Sequence, residues 1–297
     1  MGCRDNGHRQ HVQDLLHVAS ADSSRCRLHV VASNDIWARD HGPITVYRNG
    51  QPVLLDFRFN GWGGKFPHEL DDRITVRLHA LGAFAATPLE PVDLILEGGS
   101  IETDGAGTLL TTRCLLNPNR NGLDRAALER RLGETLGISR FLWLEHGHLL
   151  GDDTDSHTDT LARFCDARTI AYQGCADTAD PHYGPLQAMA EELRSFRTAS
   201  GEPYRLIELP LPAPRRDERG NRLPAGYANF LILNGAVLVP TYGDPLDAVA
   251  LERLSGCFPN HDIKGVPCAT LTHQGGSLHA RPCSLPAGVM PAAANPA

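Results

Sequence analysis

Pairs of extended apolar stretches around short polar turns recur along the chain. Such stretches flank an Asn-Gly or Asp-Gly dipeptide at Asn49-Gly50, Asp104-Gly105 and Asn234-Gly235, and a weaker pair flanks Asp166-Ala167. Asn-Gly and Asp-Gly supply the positive φ angles that tight hairpin turns need. The pattern therefore predicts four β-hairpins, with turns near residues 49, 105, 166 and 234.

Apolar residues at helical spacing lie between these hairpins. They cover Leu128–Leu136, Leu186–Phe196 and Val249–Leu254, and another such stretch, Val12–Leu16, lies near the start of the chain. Pro185 stands just before the second stretch, as is typical of a helix N-terminus. Hairpins and helices thus alternate with a repeat of about 60 residues. A repeat of this length in an α/β chain indicates a repeated supersecondary unit.

Composition narrows the class of protein. The chain has 297 residues, 41% hydrophobic and 21% charged, and 28 Lys and Arg against 35 Asp and Glu give a net charge of −7. This composition is globular and excludes a disordered, collagen-like or coiled-coil chain. No apolar run approaches the ~20 residues of a membrane helix. The acidic balance disfavours nucleic acid and suits a cationic ligand. We therefore expect an enzyme or small-molecule binder, with neither nucleic acid nor a membrane as partner.

The cysteines indicate the cellular compartment of the protein, and the composition of the C-terminus indicates where its domain ends. Eight cysteines are scattered through the chain without a Cys-x-x-Cys pair or a secretory leader, which predicts reduced thiols in a cytoplasmic protein. We expect one domain over residues 1–288. The Pro/Ala-rich residues 289–297 are expected to form a disordered tail.

Polar residues whose side chains could take part in catalysis or binding stand just before the hairpins. Asp40 precedes the first and Glu97 the second, His157 and Asp159 come next, and Asn229 precedes the last. If the repeated units close into a ring, equivalent strand starts converge near one axis. The sequence then predicts a pocket that contains three carboxylates, one imidazole and one amide.

Three carboxylates in one small site repel each other unless a cation compensates them. A guanidinium suits such a site because it is planar, permanently charged and carries five donors that pair with carboxylates. A metal is the alternative, and the acidic and His-rich segment His146–Asp159 is its candidate. This segment lacks the spacing of an EF-hand or a zinc motif. A third interpretation is that the acids only stabilise turns.

Six ordered motifs resemble the agmatine deiminase family, which includes bacterial proteins named peptidyl-arginine deiminases. The resemblance extends from about Cys3 to Gly288. The motifs are Trp37-Ala-Arg-Asp-His-Gly-Pro43, Phe59-Asn-Gly-Trp-Gly-Gly-Lys65, Leu96-Glu-Gly-Gly-Ser100, Leu115-Leu-Asn-Pro-Asn-Arg-Asn121, Gly151-Asp-Asp-Thr-Asp-Ser-His-Thr-Asp159 and Val239-Pro-Thr-Tyr-Gly-Asp-Pro245. The resemblance implies the five-fold pseudosymmetric α/β propeller of the guanidine-modifying superfamily, built from hairpin-plus-helix units, with no cofactor and no metal.

The resemblance also implies a reaction. Family members hydrolyse the guanidinium of agmatine to N-carbamoylputrescine and ammonia through a covalent cysteine intermediate, a step of putrescine and polyamine metabolism. By correspondence with the family's motifs, Asp40 and Asp159 hold the guanidinium nitrogens, and His157 acts first as general acid and then as base. Glu97 pairs with this histidine, and Trp37 walls the pocket. Such a site localises the charge of a poor electrophile and positions the nucleophile.

Asn229 and position 280 complete the predicted site. Asn229 is expected to bind substrate. The family's Gly-Ser-Leu-His-Cys pattern ends in the nucleophile, whereas this chain reads Gly276-Ser-Leu-His-Ala280, so Ala280 stands where the cysteine is missing. Cys283 lies three residues on and is disfavoured as a substitute. Loss of a nucleophile typically lowers turnover by about 10⁴ to 10⁶. The family's N-terminal segment before the region of Cys3 also has no counterpart, so we expect the ring-closing part to be truncated.

Four functional hypotheses follow. The first is an agmatine deiminase-like hydrolase acting on C–N bonds, and the second is an inactive guanidinium-binding pseudoenzyme, because of Ala280. The third is a deiminase of free or peptidyl arginine, and the fourth is a metal-dependent hydrolase that uses the segment His146–Asp159. The sequence does not indicate an oligomeric state.

Overall fold

The structure, a computed structural model, describes residues 1–291. The chain divides into two compact units, Met1–Gly98 with the chain from Cys283 onward, and Gly99–Pro282. The single domain expected over residues 1–288 stays a prediction. Val289, the first residue of the expected tail, is fully buried and packs with Leu54 and Phe84 of the first unit. The packed part of the chain therefore reaches into the expected tail, and residues 292–297 lie outside the described residues.

The first unit contains one small parallel pair of strands and one three-stranded sheet. Its elements are β1 (Gly2–Cys3), α1 (Asn6–Val18), β2 (His29–Val30), α2 (Ala38–His41), β3 (Ile44–Arg48), β4 (Gln51–Arg58), the short turn α3 (Gly61–Gly64), α4 (Ile74–Ala80) and β5 (Leu89–Ile95). Strands β1 and β2 pair in parallel, with α1 between them in the chain. In the larger sheet, β3 and β4 form an antiparallel hairpin, and β5 lies parallel to β4.

The second unit contains three further sheets of the same design. Its elements are β6 (Ile101–Thr103), β7 (Thr108–Thr112), α5 (Arg125–Leu136), β8 (Arg140–Leu144), β9 (Ala162–Asp166), β10 (Thr169–Gln173), α6 (Tyr183–Ser195), β11 (Arg205–Leu209), β12 (Leu231–Leu233), β13 (Ala236–Thr241), α7 (Leu246–Ser255) and β14 (Asp262–Pro267). In each sheet an antiparallel hairpin is followed by a helix and by a third strand parallel to the second.

The four predicted hairpins and the helices between them are confirmed. In the first hairpin Arg48 pairs with Gln51, and the intervening Asn49 and Gly50 have φ angles of 51° and 76°. Both central residues of a type I′ turn need such positive φ angles, which explains the Asn-Gly sequence. The third strand of each sheet was not predicted, because each is a short stretch without a turn dipeptide of its own.

The core of the second unit lies between its sheets and helices. Strand β10, the central strand of its sheet, is buried along its whole length, and its Ile170 and Tyr172 lie in one core cluster with residues of α6. Leu128 and Leu132 of α5 are both fully buried, as their four-residue spacing on one helix face predicts. The architecture is therefore a mixed α/β fold of small sheets. Among the helices of residues 1–291, none has the length and apolar character needed to cross a lipid bilayer.

Candidate active site

Asp40 is a buried carboxylate on the short helix α2 of the first unit. Its exposed fraction is 4%. The indole Nε1 of Trp62 donates a hydrogen bond to its Oδ2 at 3.0 Å, which orients the carboxylate. Away from bulk water, attraction between a carboxylate and a cation is stronger than at the surface. The surroundings of Asp40 therefore suit the recognition of a positively charged group.

Trp62 adopts a backbone conformation that is unusual for a residue with a side chain. Its φ angle is 56°, in the left-handed region, between the left-handed Gly61 and Gly63. Such a conformation costs about 1–2 kcal/mol for a non-glycine residue, and strain of this kind concentrates at functional sites. The rings of Phe59 and Phe66 pack edge-on against the indole, with centroids at 5.0 and 5.5 Å. These contacts hold the indole at Asp40.

Glu97 is fully buried where the chain passes close to the Asp40 segment. A Cβ atom added to the next residue, Gly98, would lie 2.2 Å from the carbonyl oxygen of Arg39. Only glycine permits this approach. This close approach brings Gly98, which follows Glu97, into contact with Arg39, which precedes Asp40, within the first unit. Trp37, at the start of α2, is 5% exposed and belongs to the same unit.

His157 is buried at the end of a tight loop in the second unit. Its exposed fraction is 2%. Its backbone N–H donates to Oγ1 of Thr154 at 3.1 Å, and the hydroxyl of Thr160 donates to its carbonyl oxygen at 2.9 Å. Asp152 accepts hydrogen bonds from Thr154 and from the N–H of Ser156 within the same loop. The loop thus holds the backbone of His157 on both sides.

Asp159, Asn229 and His279 form one hydrogen-bonded group in the second unit. Nδ1 of His279 lies 2.7 Å from Oδ2 of Asp159. The amide of Asn229 donates to the carbonyl oxygen of Asp159 at 3.2 Å and accepts the N–H of His279 at 2.8 Å. All three side chains are buried. Asn229 therefore joins the Asp159 segment to the segment that leads to Ala280.

Ala280 follows His279 directly, and its methyl group offers no nucleophile. Cys283 belongs to the first unit, where its thiol donates to the carbonyl oxygen of Pro43 at 3.4 Å. Burial raises the pKa of this thiol, which disfavours the reactive thiolate. Cys283 therefore has the properties of a structural cysteine.

The candidate metal segment His146–Asp159 does not form a set of metal ligands. Nδ1 of His146 lies 2.6 Å from the carboxylate of Glu192, Asp155 pairs with Arg120, and Asp159 pairs with His279. No group of three or more His, Cys, Asp or Glu side chains in residues 1–291 is arranged to hold a metal ion. His146, Asp155 and Asp159 are instead paired with Glu192, Arg120 and His279.

The structure places the predicted site residues in two buried groups. Trp37, Asp40 and Glu97 lie in the first unit, and His157, Asp159 and Asn229 lie in the second, with Ala280 after them. The convergence of all of them on one pocket stays a prediction.

Two residues at these groups were not predicted as site residues. Trp62 is the hydrogen-bond donor to Asp40, and His279 is the partner of Asp159. Both lie inside motifs that resemble those of the agmatine deiminase family. The position of His279 next to the missing nucleophile was a signal that could have identified it.

Comparison with known proteins identifies the family of the chain. Residues 1–286 match the family described as Porphyromonas-type peptidyl-arginine deiminase. The chain belongs to this family, whose members include agmatine deiminases, hydrolases that act on C–N bonds.

Individual relatives agree with this assignment. The chain is 35% identical to an agmatine deiminase of Stutzerimonas stutzeri over 286 residues, which cover 88% of this chain and 77% of the relative. A solved structure from Porphyromonas gingivalis is 49% identical, with a TM-score of 0.92 over 98% of this chain and 85% of the other. A C. jejuni agmatine deiminase with a cysteine-to-serine substitution, solved with substrate bound, is 41% identical, with a TM-score of 0.86 over 94% and 80% of the two chains.

Proposed function

We propose that this chain is an agmatine deiminase-like protein whose ligand is the guanidinium group of agmatine. The observation that carries the proposal is the buried group of Asp159, Asn229 and His279, which ends at Ala280 where the family has its nucleophile. The names of the relatives supply the substrate, since several are agmatine deiminases.

The buried acids account for the choice of a guanidinium. A carboxylate in surroundings of low polarity is stabilised by an opposite charge that also donates hydrogen bonds. A guanidinium offers five such donors in one plane and keeps its charge at every physiological pH. In this proposal Asp40 and Asp159 accept hydrogen bonds from the guanidinium nitrogens, Glu97 pairs with His157 and the substrate, and Asn229 and Trp37 complete the binding residues.

The reaction proposed for a form with a cysteine at position 280 has two stages. The thiolate sulfur attacks the guanidinium carbon, a C–S bond forms, and a C–N bond breaks as His157 gives a proton to the departing ammonia. His157 then takes a proton from water, whose oxygen attacks the same carbon and displaces the thiolate. The products are N-carbamoylputrescine and ammonia. Covalent catalysis of this kind divides one difficult substitution into two easier steps.

The chain with Ala280 lacks the atom that attacks. We therefore propose that it binds agmatine without turning it over, as a pseudoenzyme of this family. The C. jejuni relative with a cysteine-to-serine substitution supports this idea, because it was crystallised with its substrate bound. Free arginine and arginyl peptides are the second candidate ligands, which the family's description favours.

We also propose that the fold is a five-unit α/β propeller. Four sheets with the order strand, strand, helix, strand support four of the units. The order β1, α1, β2, with β1 parallel to β2, resembles the last three elements of such a unit, and this similarity supports a fifth.

Replacement of Ala280 by cysteine tests the catalytic part of the proposal. The Ala280→Cys protein should release ammonia from agmatine at least about 10³-fold faster than the unaltered chain, since a missing nucleophile typically costs this much or more. Ala280→Ser is the matched control, because a hydroxyl of similar size is a far weaker nucleophile than a thiolate. The same assay with arginine and an arginyl peptide ranks the three substrates. If the Ala280→Cys protein folds and releases ammonia from none of them, the catalytic proposal fails.

A further inference from the structure

Two consecutive residues before His157 adopt the left-handed backbone conformation although neither is glycine. The φ angles are 67° for Asp155 and 73° for Ser156. A Cβ atom disfavours this conformation, and two such residues in a row are held only when the surroundings impose it. Since the pair leads directly into His157, whatever holds it also sets the position of that imidazole.

Arg120 is the main group that holds this segment. Its side chain is completely buried, and Nη1 donates to Oδ2 of Asp155 at 2.9 Å. Nη2 donates to the carbonyl oxygen of Thr154 at 3.0 Å, and Nη1 also donates to the carbonyl oxygen of Cys114 at 3.1 Å. Asn117 adds a hydrogen bond to the same oxygen of Asp155 at 2.9 Å. One guanidinium thus binds the side chain of one loop residue and the backbone of its neighbour.

The segment that carries Arg120 follows strand β7 of the second unit. Arg120 and Asn117 lie on the segment that follows β7, where the N–H of Arg120 donates to the carbonyl oxygen of Asn117 at 3.0 Å. At the end of β7 the hydroxyl of Thr112 donates to the carbonyl oxygen of Ser156 at 2.6 Å. The left-handed pair and Thr154 are therefore bound by Thr112 at the end of β7 and by Asn117 and Arg120 on the segment that follows.

A short chain of contacts joins Arg120 to His157. The carbonyl oxygen of Thr154 accepts a hydrogen bond from Arg120, and Oγ1 of the same threonine accepts one from the backbone N–H of His157. A displacement of the Arg120 guanidinium would therefore move Thr154, and through it the backbone of His157. Catalytic groups need placement within a fraction of an ångström, and an error of about 1 Å costs about 10²-fold in rate.

We propose that Arg120, with Asp155 as its partner, is a positioning residue that fixes the imidazole of His157. The inference rests on the proposed function, because the importance of that imidazole comes from it. Arg120 itself touches no reacting atom in this proposal. Lysine is a poor substitute, since one ammonium does not reproduce the planar fork that binds Asp155, Thr154 and Cys114 together.

The first measurement uses the chain with Ala280 and needs no activity. NMR titration of the His157 ring, assigned by the signal lost in His157→Gln, reports the surroundings of the imidazole. Arg120→Lys should move the titration midpoint of His157 by at least about 0.5 pH units, a change well above the precision of such titrations. Arg163→Lys is the matched control, because Arg163 is also buried, pairs with the carboxylate of Glu102 and donates to the carbonyl oxygen of Phe230. An unchanged His157 midpoint in folded Arg120→Lys would overturn the inference.

The second measurement is kinetic and uses the Ala280→Cys background. Arg120→Lys should lower kcat by about 10²-fold and change KM by less than about threefold, as expected when only placement of a catalytic group is lost. Arg163→Lys should leave kcat within about threefold, and an equal loss of kcat in both variants would overturn the inference. If Ala280→Cys is inactive, the proposed function fails, while the NMR titration still decides the role of Arg120.

A third variant guards against misfolding of Arg120→Lys. Asp155→Asn keeps the size of the side chain, and asparagine tolerates the left-handed region better than most residues. It removes the charge that the guanidinium pairs with. The His157 midpoint should shift in the same direction as in Arg120→Lys and by a smaller amount. An unchanged midpoint in Asp155→Asn would contradict the proposed pairing.

Discussion

Nδ1 of His279 and Oδ2 of Asp159 lie 2.7 Å apart, although 120 residues separate them in the chain. Both side chains are buried, at 4% and 2% exposure. Because an ionised carboxylate only accepts hydrogen bonds, Nδ1 of His279 is the donor in this contact. The contact fixes the segment that carries Ala280 against the segment that carries His157 and Asp159.

Loss of this contact should destabilise the second unit. We expect His279→Gln to lower the free energy of unfolding by about 1–3 kcal/mol, because the Asp159 carboxylate loses a buried hydrogen-bond partner. Urea denaturation followed by circular dichroism measures the effect. His273→Gln is the matched control on the same segment, where the side chain is exposed and a change within about 0.5 kcal/mol is expected. Equal effects of the two substitutions would show that the His279 contact adds no stability.

The amide of Asn229 should be needed as both donor and acceptor. Asn229→Asp keeps an acceptor for the N–H of His279 but loses the donor to the carbonyl oxygen of Asp159. It also buries a second carboxylate beside Asp159, so we expect a loss of at least about 1–3 kcal/mol in unfolding free energy at pH 7. Asn221→Asp, at an exposed turn, is the control. A stable Asn229→Asp protein with unchanged agmatine affinity would contradict the role given to this amide.

The indole of Trp62 should affect ligand binding as well as stability. Trp62→Phe removes the donor to Asp40 and leaves most of the ring packing in place. We expect calorimetry to show weaker agmatine binding, by about 10-fold, because a hydrogen bond to a charged group contributes about 1.5–3 kcal/mol. In the control Trp143→Phe, the lost bond is to Glu129, which lies outside the proposed site. That control should lose stability alone; weaker agmatine binding in both variants would argue against a specific role of Trp62.

Asp56 should make stability depend on pH. Burial, and then the nearby Asp72, raises the pKa of Asp56 from 3.8 to about 6. The folded state therefore binds this proton at a pH where the unfolded state has released it, and this group's contribution to stability falls as pH rises from about 4 to about 6. Asp56→Asn should raise the urea midpoint at pH 7.5 and leave it nearly unchanged at pH 3.5. Replacement of the exposed Asp262 by asparagine is the control. An increase in the urea midpoint of Asp56→Asn that is equal at both pH values would contradict this account.

The hairpins and helices could be predicted because their signals are local. Asn49-Gly50 specifies a turn by its own backbone preferences, and Leu128 and Leu132 mark a helix face by their spacing. The third strand of each sheet carries no such local signal. Strand β8, for example, is defined by its pairing with β7, more than 25 residues earlier in the chain. Such pairing follows from the tertiary structure.

For the candidate site, local motifs in the sequence predicted residues but did not predict their partners. Asp40, Glu97, His157, Asp159 and Asn229 were predicted, and all are buried. The groups that hold them were missed, because a partner such as His279 or Arg120 is defined by contacts between distant segments. Asp155 shows the limit most clearly. Its place in the candidate metal segment His146–Asp159 suggested a metal ligand, whereas in the structure it pairs with a buried arginine.

Calorimetric titration of the chain with agmatine and with putrescine tests the central claim most directly. Putrescine keeps the diamine chain and lacks the guanidinium, so the comparison isolates recognition of that group. We predict that agmatine binds at least about tenfold more tightly than putrescine, and that Asp159→Asn abolishes the difference, since charge-assisted hydrogen bonds contribute about 1.5–3 kcal/mol each. Equal affinities for the two ligands, or no binding of agmatine, would contradict a guanidinium site in this protein.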